Sequence, residues 1–248
     1  MLRTSVLSSL HLAKSQQKKQ LAVLIDPDKL RTRELPSLLE AAQSATLDYF
    51  FVGGSLLAQD QMEECLLMIR QYSPVPVVLF PGNPLQINRH ADAILLLSLI
   101  SGRNPELLIG NHVIAAPYIK ASGLETISTG YMLVESGISS STAYISNTMP
   151  IPALKTEIAV CTAMAGEMLG LQTIYLDAGS GAIHPVPLEM IREVSAHIGV
   201  PLMVGGGLRQ PEHIKNALMA GADLVVIGSA LEANPRQIAQ MADIVHSF

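Results

Sequence analysis

Short apolar runs recur along the chain, separated by longer stretches in which apolar residues return every three or four positions. The runs at 21–25, 49–52, 75–80, 93–97, 125–133, 173–176, 201–204 and 224–227 read as eight strands. They are nearly continuous in apolar character rather than alternating, as parallel strands covered on both faces are. Between them, 35–45, 61–72, 105–119, 153–169, 188–197, 212–219 and 235–245 carry helical spacing. Several of these begin on a polar residue and a proline, as at Asn104-Pro105, Gln210-Pro211-Glu212 and Asn234-Pro235. The stretch 84–90 has room for about one helical turn, and residues 1–20 form an extra amphipathic helix before the first strand.

Strands alternating with helices predict an α/β fold, here a (β/α)8 TIM barrel, and 248 residues suit one such domain over 1–248. An open doubly wound sheet is the alternative. It usually has fewer strands, and no glycine-rich dinucleotide fingerprint follows the first strand. The least regular stretch, 137–152, holds Ser139-Ser140-Ser141-Thr142 and ends Met149-Pro150-Ile151-Pro152. It follows strand five on the side where active-site loops gather, so it is either a lid or a tolerated insertion.

Hydrophobic residues make up 49% of the chain and charged residues 15%. That exceeds what a core alone requires, and the surplus suits an apolar substrate groove or a subunit interface. The net charge of −5, with no cluster of lysine and arginine, argues against a nucleic-acid partner. An anionic small substrate stays open, because backbone amides and a bound metal hold phosphate without a basic protein. The apolar run at 93–100 is interrupted by Ser98 and falls far short of the roughly 18 residues of a spanning helix. Residues 1–20 lack the apolar core of a signal peptide. Cys65 and Cys161 have no metal-ligand spacing and read as buried thiols of a reducing compartment. The expected location is therefore the cytoplasm.

The candidate chemistry lies at the strand ends. Strand six runs into Asp177-Ala178-Gly179-Ser180-Gly181-Ala182, strand seven into Gly205-Gly206-Gly207-Leu208, and strand eight into Gly228-Ser229-Ala230. Phosphate commonly binds after strands seven and eight of such barrels, where glycine lets backbone N–H groups reach the anion. Strand one ends in Asp26-Pro27-Asp28-Lys29 and strand two in Gly53-Gly54-Ser55. Asp26 and Ser55 would reach one magnesium ion, which accepts one or two protein oxygens plus water and substrate phosphate. Asp-Pro-Asp is equally good turn chemistry, and that reading stands beside the first. Asp177 is either a base beside a substrate hydroxyl or a carboxylate capping the glycine loop; Tyr175, two positions earlier, faces the same side. His11, His90, His112, His197, His213 and His246 show no partner spacing, and His184 follows the strand-six loop. Lys29, Arg103, Lys120 and Arg209 lie near strand ends and either assist a phosphate or are solvated.

The combination resembles the geranylgeranylglyceryl phosphate synthase family, which includes heptaprenylglyceryl phosphate synthases, and most resembles its archaeal-type branch. The likeness runs through Leu24-Ile25-Asp26-Pro27-Asp28-Lys29, Val52-Gly53-Gly54-Ser55, Phe80-Pro81-Gly82, Gly130-Tyr131 and Tyr144-Ile145-Ser146-Asn147-Thr148. It continues through Tyr175-Leu176-Asp177-Ala178-Gly179-Ser180-Gly181-Ala182, its most specific segment, and Val204-Gly205-Gly206-Gly207. The resemblance implies a prenyltransferase that joins geranylgeranyl diphosphate, or a similar long prenyl diphosphate, to the 3-hydroxyl of sn-glycerol 1-phosphate. It implies Mg2+ on Asp26 and Ser55, and glycerol phosphate held by residues 175–181, Gly205, Gly206, Gly207, Gly228 and Ser229, with Asp177 and Tyr175 at the reacting hydroxyl. It also implies a homo-oligomer, dimer or hexamer, without stable membrane insertion but with transient membrane contact. Two positions depart from the family pattern: Asp177 stands where glutamate is common, and Ser229 where asparagine is. Other readings are a sugar-phosphate aldolase or isomerase, although no strand clearly ends in a Schiff-base lysine, or a non-catalytic phosphometabolite-binding barrel.

Overall fold

The computed structural model describes residues 5–28, 35–59 and 61–248. Eight strands close into a parallel barrel in chain order: β1 (Gln20–Ile25), β2 (Tyr49–Val52), β3 (Val77–Leu79), β4 (Ala93–Leu99), β5 (Glu125–Leu133), β6 (Thr173–Asp177), β7 (Leu202–Gly205) and β8 (Leu224–Ile227). β8 pairs back onto β1, so no edge is left open. The barrel expected from the sequence is what forms, and the extra N-terminal helix precedes it as α1 (Val6–Ser15).

Successive strand residues point alternately inward and outward. Ala22, Phe51, Val78, Leu95, Tyr131, Tyr175, Met203 and Val226 fill the barrel interior. Val23, Phe50, Leu79, Met132, Leu176, Val204 and Val225 meet the surrounding helices. These helices are α2 (Leu35–Gln43), α3 (Met62–Tyr72), α4 (Asn111–Ser122), α6 (Thr156–Met168), α7 (Leu188–His197), α8 (Pro211–Met219) and α10 (Gln237–His246), with short α5 (Ser141–Ser146) and α9 (Ser229–Ala233) on the loops after β5 and β8.

α1 stoppers the N-terminal end of the barrel by packing Val6 and Leu10 against the interior cluster. Glu125, at the start of β5, holds it there. Its carboxylate accepts from the Ser5 hydroxyl at 2.5 Å and from the N–H groups of Val6 and Leu7 at 2.7 and 3.0 Å. This places an anion on the positive end of the helix.

Several boundaries differ from the sequence reading for local reasons. The run 75–80 yields only three strand residues, and proline 76 lacks the N–H a ladder needs. A 3-10 turn, Pro84–Gln86, follows it in place of a full helix. The segment read as one helix over 105–119 opens as a π-helical turn, Glu106–Gly110, before α4, which carries Pro117 inside it. β6 and β7 each run one residue further, taking Asp177 and Gly205 into the ladder. Cys65 is buried as expected, and burial pushes its thiol up to about 12. Cys161 is exposed, because it lies on the outer face of α6 rather than the apolar one. Among the described residues no helix is long and apolar enough to cross a membrane.

Candidate active site at the barrel mouth

The strand register gathers the chemical residues at the C-terminal rim. Leu133 lies opposite Asp177, and Asp177 opposite Gly205. Tyr175 and Asp177 point inward from β6, whereas Leu176 turns to the helices and offers only its backbone to the mouth. Asp177 is 8% exposed. Its Oδ2 accepts from the Tyr131 hydroxyl at 2.5 Å and its Oδ1 from the Gly179 N–H at 2.7 Å. Burial raises its pKa above the usual carboxylate range, and these two hydrogen bonds pull the other way. Both tyrosine phenols are pushed well above their ordinary value, first by burial and then by the Asp177 charge. The rings of Tyr131 and Tyr175 pack with Phe80 at centroid distances of 5.3–5.9 Å, forming the floor beneath the carboxylate.

The loop after β7 nests against this floor because it has no side chains. A Cβ at Gly205 would run into the Tyr175 hydroxyl. Gly206 has φ +79°, and a Cβ there would lie 2.7 Å from both the Asp177 Oδ1 and the Gly179 nitrogen. Gly179, Ser180, Gly206, Gly207, Gly228 and Ser229 line one cleft with Tyr175 and Asp177. Ala178 and Gly205 shape it from behind, joined by a 3.1 Å hydrogen bond from the Ala178 N–H to the Gly205 carbonyl. Gly181 stands outside the cleft lining; its carbonyl, with that of Ala182, accepts from the Arg209 guanidinium at 3.0 and 2.8 Å. Arg209 therefore clamps the strand-six loop instead of pointing at a phosphate. Arg103 likewise donates to the Gly102 carbonyl, at 2.7 Å.

Asp26, Gly54 and Ser55 form the opposite wall of the same cleft. Gly54 passes directly beneath the Asp26 carboxylate, so that a Cβ on it would sit 3.2 Å from all three carboxyl atoms. Asp26 Oδ1 accepts from the Asp28 N–H at 3.2 Å. Asp28, on the same cleft lining, caps the loop after β2, accepting from the N–H groups of Ala58 and Gln59. The Ser55 hydroxyl lies 3.0 Å from the Thr142 hydroxyl on α5. One carboxylate and one hydroxyl are hard oxygen donors of the kind magnesium takes. No group of three histidine, cysteine or acidic residues among the described residues suits a metal. A magnesium ion here would therefore draw its remaining ligands from water and a substrate phosphate, which it does readily. Lys29 lies outside the described residues.

A second, apolar groove opens from this cleft. It runs along β4 beneath the π-helical turn and α4, past Leu97, Leu107, Ala115 and Ile119. Ser55, Phe80, Tyr131 and Thr142 line both spaces, so the polar cleft and the apolar groove meet beside Asp177. Three of these residues, Phe80, Tyr131 and Thr142, carry no role in the sequence reading. Tyr131 belongs to a segment noted for resemblance, and its alternation with Leu133 already aims it inward. Thr142 sits in the irregular stretch 137–152, where no periodicity says which way a side chain faces. That stretch crosses the mouth, anchored by a bridge between Val134 and Ile151 and by the Ser140 hydroxyl capping α5. Of the histidines, His112 lines the groove, with Nε2 3.2 Å from the Ser98 hydroxyl. His184 is exposed and lies outside the cleft lining.

Fold and site together define a (β/α)8 barrel with a glycine-walled polar mouth opening into an apolar groove. The chain belongs to the PcrB family, whose pattern matches residues 14–246. It is 50% identical over 229 residues to the geranylgeranylglyceryl phosphate synthase of Chitinophaga pinensis, covering 92% of this chain and 91% of the relative. The enzyme of the same name from Korarchaeum cryptofilum is 42% identical over 224 residues, 90% of this chain and 92% of the relative. The crystal structure of (S)-3-O-geranylgeranylglyceryl phosphate synthase from Thermoplasma acidophilum, in complex with sn-glycerol-1-phosphate, superposes with a TM-score of 0.92 at 30% identity. It covers 99% of this chain and 100% of that one.

Proposed function

We propose that this chain is a prenyltransferase. It joins geranylgeranyl diphosphate, or a similar long prenyl diphosphate, to the 3-hydroxyl of sn-glycerol 1-phosphate, forming an ether bond and releasing diphosphate. The observation that carries this reading is the junction itself: a glycine-walled polar cleft and an apolar groove meet at one buried carboxylate. A sugar-phosphate isomerase has no use for the groove, and no lysine lines the cleft among the described residues. The names of the relatives and the glycerol phosphate held by the Thermoplasma acidophilum enzyme support it.

In this mechanism the loops carrying Gly179, Ser180, Gly206, Gly207, Gly228 and Ser229 grip the glycerol phosphate and aim its hydroxyl along the barrel axis. Fixing both substrates at one junction turns a bimolecular encounter into a reaction within one complex. Asp177 Oδ2, whose Tyr131 hydrogen bond can be exchanged for the substrate hydroxyl, accepts the proton as the ether bond forms. Phe80, Tyr131 and Tyr175 line the cleft together, and aromatic rings suit the positive charge that develops on an allylic carbon. Asp26 and Ser55 would hold Mg2+ against the diphosphate, and its charge would assist departure of that leaving group. The reading also carries a homo-oligomer, dimer or hexamer, for which Ile109, Val113, Ile114 and Tyr118 offer exposed apolar side chains along the π-helical turn and α4. We place the reaction in the cytoplasm, in passing contact with a membrane, since substrate and product are amphiphiles.

Purified protein incubated with magnesium, sn-glycerol 1-phosphate and labelled geranylgeranyl diphosphate should yield a butanol-extractable labelled product. No extractable product over repeated preparations would sink the reading.

A further inference from the structure

Gln86 has no part in the chemistry above, and its side chain lines neither cavity. It closes the 3-10 turn after β3 and is 2% exposed, at the place where the loops after β2 and β3 touch. Its Oε1 accepts from the N–H groups of Gly82 at 3.1 Å and Gly54 at 3.4 Å. Its Nε2 donates to the Gly54 carbonyl at 2.8 Å. Two N–H groups on one side demand an acceptor and a carbonyl on the other demands a donor, which a carboxamide supplies without charge at any ordinary pH.

The loops meet too closely for anything else to fit between them. A Cβ at Gly82 would lie 2.8 Å from the Ser55 carbonyl oxygen, and one at Gly53 would strike the Phe80 carbonyl. Gln86 thus grips Gly54 through both its N–H and its carbonyl. Gly54 is the residue that floors the Asp26 carboxylate and precedes Ser55. We propose that Gln86 is a positioning residue for the diphosphate end of the prenyl substrate, acting through Gly54 to set the spacing of Asp26 and Ser55. The inference rests on the function proposed above.

The test uses the full chain and two variants. Gln86→Met keeps the volume and loses all three hydrogen bonds. Gln86→Glu keeps the shape and, when protonated, presents one donor and one acceptor again. Calorimetric titration of geranylgeranyl diphosphate with magnesium is compared with titration of sn-glycerol 1-phosphate alone, and each variant's melting temperature is recorded. Gln86→Met should bind the diphosphate about tenfold more weakly while its glycerol phosphate affinity stays within about twofold of wild type. Gln86→Glu should approach wild-type diphosphate affinity as the pH is lowered, measured as a ratio to wild type at each pH. A mere loss of packing produces no such recovery.

Equal diphosphate affinity in Gln86→Met and wild type would overturn the proposal. So would a parallel fall in both affinities, or loss of the folded barrel in both variants, since either assigns Gln86 to general stability. If wild type itself does not bind the diphosphate, the prenyltransferase reading fails and this inference goes with it, an outcome distinct from the other three.

Discussion

At the residue scale, Asp177 sets a conflict between folding and chemistry. The barrel mouth buries it, which favours its neutral form, while a base must be charged. The Tyr131 hydroxyl and the Gly179 N–H are what hold the charge available. The sign follows directly: protonation at low pH removes the base, so kcat/KM should fall as the pH drops through the Asp177 pKa, and that pKa lies above the usual aspartate range. Tyr131→Phe removes a bond that lowers the pKa, so its acid limb should move to higher pH. Asp177→Asn should lower kcat by about 100-fold or more with a much smaller change in the KM for glycerol phosphate. A pH–rate profile for the three proteins decides it. If Asp177→Asn turns over normally, the carboxylate is a loop cap. The sequence leaves both roles of this residue open, because the capping bond to Gly179 and the inward aim toward substrate are compatible on one side chain.

At the element scale, α1 depends on a residue 118 or more positions away in sequence. Glu125 accepts three hydrogen bonds from the first turn of that helix, and Val6 and Leu10 then close the bottom of the barrel. Glu125→Gln keeps the shape but loses the charge facing the helix N-terminus and cannot accept all three bonds. It should cost about 1–3 kcal/mol, read as a lower midpoint in urea denaturation, with both KM values unchanged because the active site lies at the other end. An altered KM would show that the stopper communicates with the mouth. The helix itself is legible in the sequence, since apolar residues recur at helical spacing there, but its docking is not: nothing near residue 6 names Glu125. The same limit bears on the helical stretch read over 105–119, which opens as a π-helical turn before α4. Its apolar residues sit on several faces because α4 has an apolar groove on one side and an exposed apolar surface on the other, so its periodicity describes neither. Most of the strands are legible because burial on both faces makes them nearly continuous apolar runs, a signal that needs no long-range information, whereas β5 opens on the largely polar stretch 125–130.

At the scale of the whole molecule, the two halves of the barrel mouth differ in character, one polar and one apolar. The glycine-walled ends of β6, β7 and β8 form the polar half, and those glycines stand out in the sequence as clusters. The apolar half is written in ordinary leucine, isoleucine and alanine, which look like core until the space between β4 and α4 is seen. Ala115 is the instructive position: it is 5% exposed, sits on α4 and faces that space. A core reading and a groove reading make opposite demands on it. If it is packed core, Ala115→Phe overpacks the barrel and costs about 1–3 kcal/mol of stability without selecting between substrates. If the groove receives the prenyl tail, the new ring shortens the space, and the cost falls on the longer substrate. The ratio of kcat/KM for geranylgeranyl over farnesyl diphosphate should then drop by about tenfold or more, because part of a twenty-carbon tail loses its buried surface. The KM for glycerol phosphate should hold, since the polar cleft lies across Tyr131 and Phe80 from the substitution. Competition between the two diphosphates in a single reaction measures the ratio directly. A ratio equal to that of wild type, in a variant that still folds, would mean that the tail runs elsewhere and that the space along β4 is not its groove.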